Sequence, residues 1–373
     1  MFAKLTLSTA LLSLVHMSNA QKTDDYHLLV GTYTQKESEG IYVYHFNTKT
    51  GEFSRESVAK GLKNPSFLAI SPDQKKVYSV GEMDNGGAVY AFSFDNASGK
   101  LEKLSTESSG GAGPCHIAVD KTGKWVMVGN YGGGSLSILP VLPTGGVGAP
   151  LKTIQHEGSG PNKQRQEKAH VHSINIADNN LDVYVPDLGI DEVTHYQLDS
   201  KNGTLKEAKP TRTSPGAGPR HFTFHPSQKF AYVINELDMT VTAYNYNKDG
   251  SLSDIQTIST VPADFKGTNI CADIHISPDG KFLYGSNRGH DSIVCYSIDS
   301  STGKLTLVEI TPSGGKHPRN FAIDPSGRLV LVANRDTDNI VIFNRNAQTG
   351  KLTPTGKEIS LSMPVCLKLI PKK

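Results

Sequence analysis

Arginines, histidines and carboxylates recur in this chain at fixed distances from six short turns, centred on Gln74, Gly123, Asn180, Gln228, Gly280 and Gly327. Seven or eight residues before these turns stand His116, His172, Arg220, His221, Asp273, Arg319 and Asn320. Seven or eight after them stand Glu82, Asn130, Tyr131, Asp187, Asn235, Glu236, Asn287, Arg288, Asn334 and Arg335. In a hairpin, positions equally far from the turn lie opposite each other. Both groups therefore belong at the end remote from the turn, on one face of the molecule. Guanidinium forks match carboxylate and phosphate. Arginines beside His and Glu thus suggest a site for an anionic or polyhydroxylated ligand. The plainer alternative is a wet channel of satisfied polar groups, with Glu236 simply ion-paired to Arg220.

His170 and His172 form a His-x-His pair. Residues two apart on a strand face one side, so both imidazoles are expected to point into the site. Such a pair can bind zinc. The further partners at hand are cationic arginines, so neither a metal nor any other cofactor is expected.

The elements that carry these residues are strands. Stretches such as FLAISPDQKKVYSVGE and IHISPDGKFLYGSNR read as an alternating apolar run, a tight turn and a second run. Third runs follow, such as AVYAFSF and NIVIFNR, and then a short fourth. Nine residues before four of the six turns stands a proline: Pro65, Pro114, Pro219 or Pro318. Four strands in about 50 residues make a propeller blade. Six turns give six blades. The C-terminal MPVCLKL, with Pro364 at the recurring proline position, supplies a first strand, and the N-terminal HLLVGTYT and GIYVYHF supply a second and third. The expected fold is all-β: a seven-bladed propeller of four antiparallel strands per blade, closed by a blade shared between the termini. Closure removes exposed sheet edges.

The first twenty residues read as a secretory signal. Lys4 is followed by an apolar run from Leu5 to Val15 and by small residues at Ser18 and Ala20. The expected organisation is a signal over 1–20 and one propeller domain over 21–373, in the periplasm or outside the cell. The chain has 373 residues, 36 glycines and 20 prolines, which suit many turns. A net charge of +2 gives no pull toward nucleic acid or acidic membranes. Cys115, Cys271, Cys295 and Cys366 are expected as buried thiols, with one disulfide as the alternative.

The stretches HEGSGPNKQRQEKAHVHS, VYVPDLGID, GAGPRHFTFHP, AYVINELD, IHISPDGKFLYGSNRGHDSI and HPRNFAIDPSG resemble the seven-bladed propeller lactonase family. That family includes propeller-type 6-phosphogluconolactonases and 3-carboxy-cis,cis-muconate lactonising enzymes. The resemblance runs from about residue 28 to residue 370. It implies catalytic or ligand-binding roles for His172, Arg220, Glu236 and Arg288, with contributions from His170, His221, His275 and Arg319. Asp273 stands where many relatives have glutamate. Lactone hydrolysis needs a base for water and donors for the oxyanion. Glu236 is the expected base, or His172 if Glu236 is locked by arginines. Arg220 and Arg288 are expected on the anion or oxyanion, and Asn287, Asn320 and Asp187 on the substrate. No Gly-x-Ser-x-Gly elbow occurs. The expected partner is a small lactone or anionic sugar acid, with no nucleic acid or membrane partner and a monomeric or weakly homo-oligomeric state. A muconate-type lactonising enzyme and a non-catalytic ligand- or protein-binding propeller are the alternatives.

Overall fold

The structure is a computed structural model that describes residues 23–373; the expected signal over 1–20 lies outside the described residues. Seven antiparallel sheets stand around one axis, six of four strands and one of five, and no helix occurs among the described residues. In chain order the blades span 68–108, 114–155, 175–212, 219–259, 270–312 and 318–360. The seventh pairs the C-terminal strand Pro364–Pro371 with the N-terminal strand Asp25–Thr32, followed by Gly40–Asn47 and Phe53–Lys60. Outside the third blade, first strands of neighbouring blades touch around the axis, and Pro364–Pro371 meets Leu68–Ile70 to complete the ring.

The turns have a common physical cause. Gln74, Asn180 and Gln228 adopt φ of 61°, 55° and 57°, and Gly123, Gly280 and Gly327 adopt 69°, 71° and 73°. A left-handed residue at this point reverses the chain between first and second strands. Four residues later, Tyr184, Tyr232 and Tyr284 are buried, and each hydroxyl donates to a glycine carbonyl of the next blade, Gly250, Gly303 or Gly350. The blades are thus joined by repeated buried hydrogen bonds as well as by apolar packing.

One irregularity sets up the site. First strands slip register between Pro114 and His116, Pro219 and His221, Cys271 and Ile274, and Pro318 and Asn320. Such a bulge leaves a residue unpaired and breaks the strict alternation of faces. Arg220 and His221 therefore both reach the channel. In the third blade the first strand is only Asn175–Ile176, and the segment before it holds on by one bridge, Val171 to Asp187. His170 and His172 are thus not on a continuous strand.

Candidate functional site

Two cavities along the channel hold most of the expected site residues. The mouth cavity, of about 340 Å³, is built mainly by the residue that follows the second strand's recurring end position. Tyr33, Glu82, Tyr131, Glu236, Arg288 and Arg335 all occupy that position and all line it. In the third blade the position is Leu188, which is buried elsewhere. First strands add Cys115, His172 and Arg319, and the long loop of the second blade adds Arg165.

Glu236 is the centre of this array. Its Oε1 accepts a 2.5 Å bond from Arg165, and its Oε2 a 2.7 Å bond from Arg288. Arg220 Nε lies 2.9 Å from the same Oε2, off the N–H axis, so this contact is an ion pair rather than an aligned hydrogen bond. Arg220 does not line the mouth cavity; it is buried behind Glu236. Burial alone would raise the Glu236 carboxyl, but the guanidiniums of Arg288, Arg220 and Arg165 outweigh it and hold the group well below the usual carboxylate range. Burial and then the neighbouring guanidiniums of Arg288 and Arg319 pull Arg220 downward. Arg165, Arg288, Arg319 and Arg335 line the mouth beside two carboxylates, Glu82 and Glu236, with Arg220 buried behind Glu236. The excess of positive charge is a binding field for an anion.

His172 Nε2 lies 3.9 Å from Glu236 Oε2. Burial, then Arg220 and His221, hold this imidazole well below its usual range, so it is neutral near pH 7. Its Nδ1 lies 3.7 Å from the Cys115 thiol. His170, expected to share the site, packs instead against the Tyr131 ring at a 4.4 Å centroid distance. Its Nδ1 is 2.9 Å from the Tyr131 carbonyl and its Nε2 is 3.1 Å from Glu167. It supports the Tyr131 wall without lining the cavity. Among the described residues no group of three or more His, Cys, Asp or Glu side chains is placed to hold a metal ion.

His221, His275 and Asn320 belong to the second cavity, farther along the first strands toward the turns. The expectation of a single gathering at one mouth is corrected here: the bulge turns consecutive residues inward but at different depths. Asp273 ties this layer together. Its Oδ1 is 2.7 Å from His221 Nδ1 and accepts the Ile274 N–H at 3.0 Å. Its Oδ2 is 2.9 Å from His275 Nε2 and accepts from Asn320 Nδ2 and, at 3.3 Å, from Phe321 N–H. Burial would raise Asp273, but His275 and His221 with their hydrogen bonds hold it well below the usual range.

Asn287 and Asp187 reach neither cavity. Asn287 is fully buried, donates to the Thr260 carbonyl at 2.8 Å and to Ser292 at 3.2 Å, and accepts from Thr260 Oγ1 and Asn269. Asn130 and Asn235, at the same repeat position, likewise donate to Ser135 and Ser137, and to Thr240 and Thr242. This recurring asparagine ties strands together. Asp187 accepts the backbone N–H of His170 at 2.7 Å and of Gly189 at 2.9 Å, and pairs with His156 at 2.8 Å. It therefore anchors the segment that carries His172.

Sequence reasoning placed Glu82 on this face but did not single out Tyr33 or Arg165. Tyr33 donates to both oxygens of Glu82, at 3.1 and 3.0 Å, and Ser66 donates to Glu82 at 2.5 Å. Arg319 lies over the Tyr33 ring at 5.5 Å. Tyr33 directly follows a second strand, as Glu82 and Glu236 do, and that shared place is the signal that could have found it. Arg165 comes from a loop with no repeat counterpart, so no repeat offset marks it. All four cysteines are buried and free.

Residues 27–369 match the family model described as Lactonase, 7-bladed beta-propeller. A 6-phosphogluconolactonase of Bacillus subtilis strain 168 is 38% identical over 342 residues, covering 91% of this chain and 97% of that protein. One of Formosa agariphila is 42% identical over 306 residues, covering 79% of this chain and 86% of that protein. The solved periplasmic gluconolactonase of Pseudomonas aeruginosa superposes with a TM-score of 0.89 at 33% identity, covering 94% of this chain and all of that one.

Proposed function

Because the chain belongs to the seven-bladed β-propeller lactonase family, we propose that it hydrolyses a sugar-derived lactone at the mouth cavity. The observation that carries the reading is the lock on Glu236, held by three guanidiniums, with neutral His172 3.9 Å away. A carboxylate so strongly held is a weak base, so the base assignment moves from Glu236 to His172. Water attacks the lactone carbonyl, and its proton passes to His172. Arg288 and Arg165 face the cavity and receive the developing oxyanion. That new negative charge offsets the cationic field that depresses His172, so the imidazole gains basicity as the transition state forms. The ring C–O bond then breaks, and His172 returns the proton to the leaving alkoxide. Glu236 keeps the arginines aimed.

The excess positive charge favours a lactone that bears a phosphate or carboxylate, in keeping with the kinship to 6-phosphogluconolactonases. Residues 1–20 are proposed as an export signal, and likeness to a periplasmic gluconolactonase supports a periplasmic or secreted location. Acid release from glucono-, galactono- and 6-phosphogluconolactone in a pH-stat tests the activity. Acceleration over the spontaneous rate supports it. No acceleration, with loss of a muconate's diene absorbance instead, would favour lactonisation.

A further inference from the structure

The second cavity takes no part in the chemistry above. It holds about 370 Å³, within the range of small-molecule sites. Between it and the mouth lie Phe67, Arg220, His221 and Arg319, around a gap of about 10 Å³. Such a gap admits about one water and no larger ligand. The two cavities are therefore separate compartments of one channel.

Two donors line the second cavity without a partner among the described residues. His116 accepts the Ile174 N–H at Nδ1, at 3.3 Å, which places its own proton on Nε2. The residue is 9% exposed and lines the cavity, and Nε2 bonds to no other residue among the described residues. Burial, then His221 and Lys368, keep the ring neutral. Lys368 lines the same wall, its ammonium 4.9 Å from the Phe67 ring centroid, and it makes no ion pair among the described residues. Asp273, the only carboxylate in the lining among the described residues, has both oxygens occupied, as described above. The cavity thus offers free donors and no free acidic acceptor. Asn175 and Thr223 add polar side chains that can bond hydroxyls.

We propose that this cavity is a second binding site, for a small hydroxy-carboxylate, with the carboxylate between Lys368 and His116. This is the class of compound that lactone opening releases; the choice of ligand rests on the lactonase reading, while the site itself does not.

The test is a calorimetric titration with sodium gluconate of the full protein, Lys368→Met, His116→Phe and the mouth variant Arg288→Met, each first checked for an unchanged melting temperature. The wild type is expected to bind gluconate at the second cavity, with affinity about 10- to 100-fold weaker in Lys368→Met, as for loss of a charge-assisted hydrogen bond. His116→Phe should weaken it too, and Arg288→Met should leave it intact. Binding that disappears in Arg288→Met and persists unchanged in Lys368→Met and His116→Phe overturns the proposal, as does no binding at all. Binding is read without turnover. A protein with this site and no lactonase activity would sink the lactonase reading alone.

Discussion

Arg220 and His221 are adjacent in the chain and both line the gap between the two cavities, Arg220 turned toward Glu236 and His221 toward Asp273. Arg220 Nε lies 2.9 Å from Glu236 in the mouth, while its Nη1 lies 3.2 Å from His221 Nε2, whose Nδ1 is 2.7 Å from Asp273. Since Arg220 only donates, His221 Nε2 accepts and Nδ1 carries the proton to Asp273. Asp273 thereby sets the tautomer that holds the guanidinium.

Asp273→Asn should disturb that tautomer and set two N–H groups against each other at Arg220. kcat should fall about 10- to 100-fold through misplacement of the arginine, with the protein still folded by circular dichroism. His221→Gln keeps an acceptor toward Arg220 and a donor toward Asp273, so it should retain more activity than His221→Leu. Equal losses in Gln and Leu would contradict the tautomer argument.

Glu236→Gln should destabilise the fold by about 3–5 kcal/mol, since it leaves buried guanidiniums unbalanced. The Glu236 carboxyl titrates lower in the folded state than in the unfolded chain. Its contribution is therefore complete above the unfolded value of about 4.3 and is lost as pH falls below that. Urea unfolding should show the gap between wild type and variant constant above about pH 5 and narrowing from there toward about pH 3. A constant gap would show that the charge of Glu236 does not stabilise this network.

Because the His172 ring is held neutral below its ordinary range, its protonation should not limit activity near neutrality. The acid limb of kcat/KM is expected below the unperturbed histidine value of about 6.5. An acid limb above that value would mean that another group, or a differently placed His172, controls the reaction.

Asn287→Ala should cost about 1–3 kcal/mol, because it strips hydrogen bonds from buried Thr260, Asn269 and Ser292. The kcat/KM should stay within about threefold at a temperature where the variant is folded, a residual effect below about 0.7 kcal/mol. A large kcat/KM loss with no stability change would put Asn287 back among substrate-binding groups.

The ring was legible in the sequence because its turns share one backbone requirement: Gln74, Asn180 and Gln228 take the same left-handed conformation as three glycines. Pro364, at the offset of Pro65 and Pro114, likewise betrayed the closing strand. The mouth was partly legible. His172, Arg220, Glu236 and Arg288 do meet around one carboxylate. What period-2 reasoning could not separate was depth, since a bulge at Arg220 breaks the alternation it relies on. His170 was misplaced because its segment is held by a bridge instead of a strand. Asn287 looked functional because its main partner, Thr260, arrives from a distant loop. Arg165 reaches Glu236 across 71 positions of chain, and no local pattern encodes that.

The most direct test of the account is the initial rate of acid release from 6-phosphogluconolactone, corrected for spontaneous opening, by wild type and by folded His172→Gln. The account predicts clear acceleration by the wild type and a loss of about 10²- to 10⁴-fold in kcat for the variant, as for removal of a general base. A wild-type protein that opens no sugar lactone faster than buffer, or a His172→Gln protein with full activity, would contradict it.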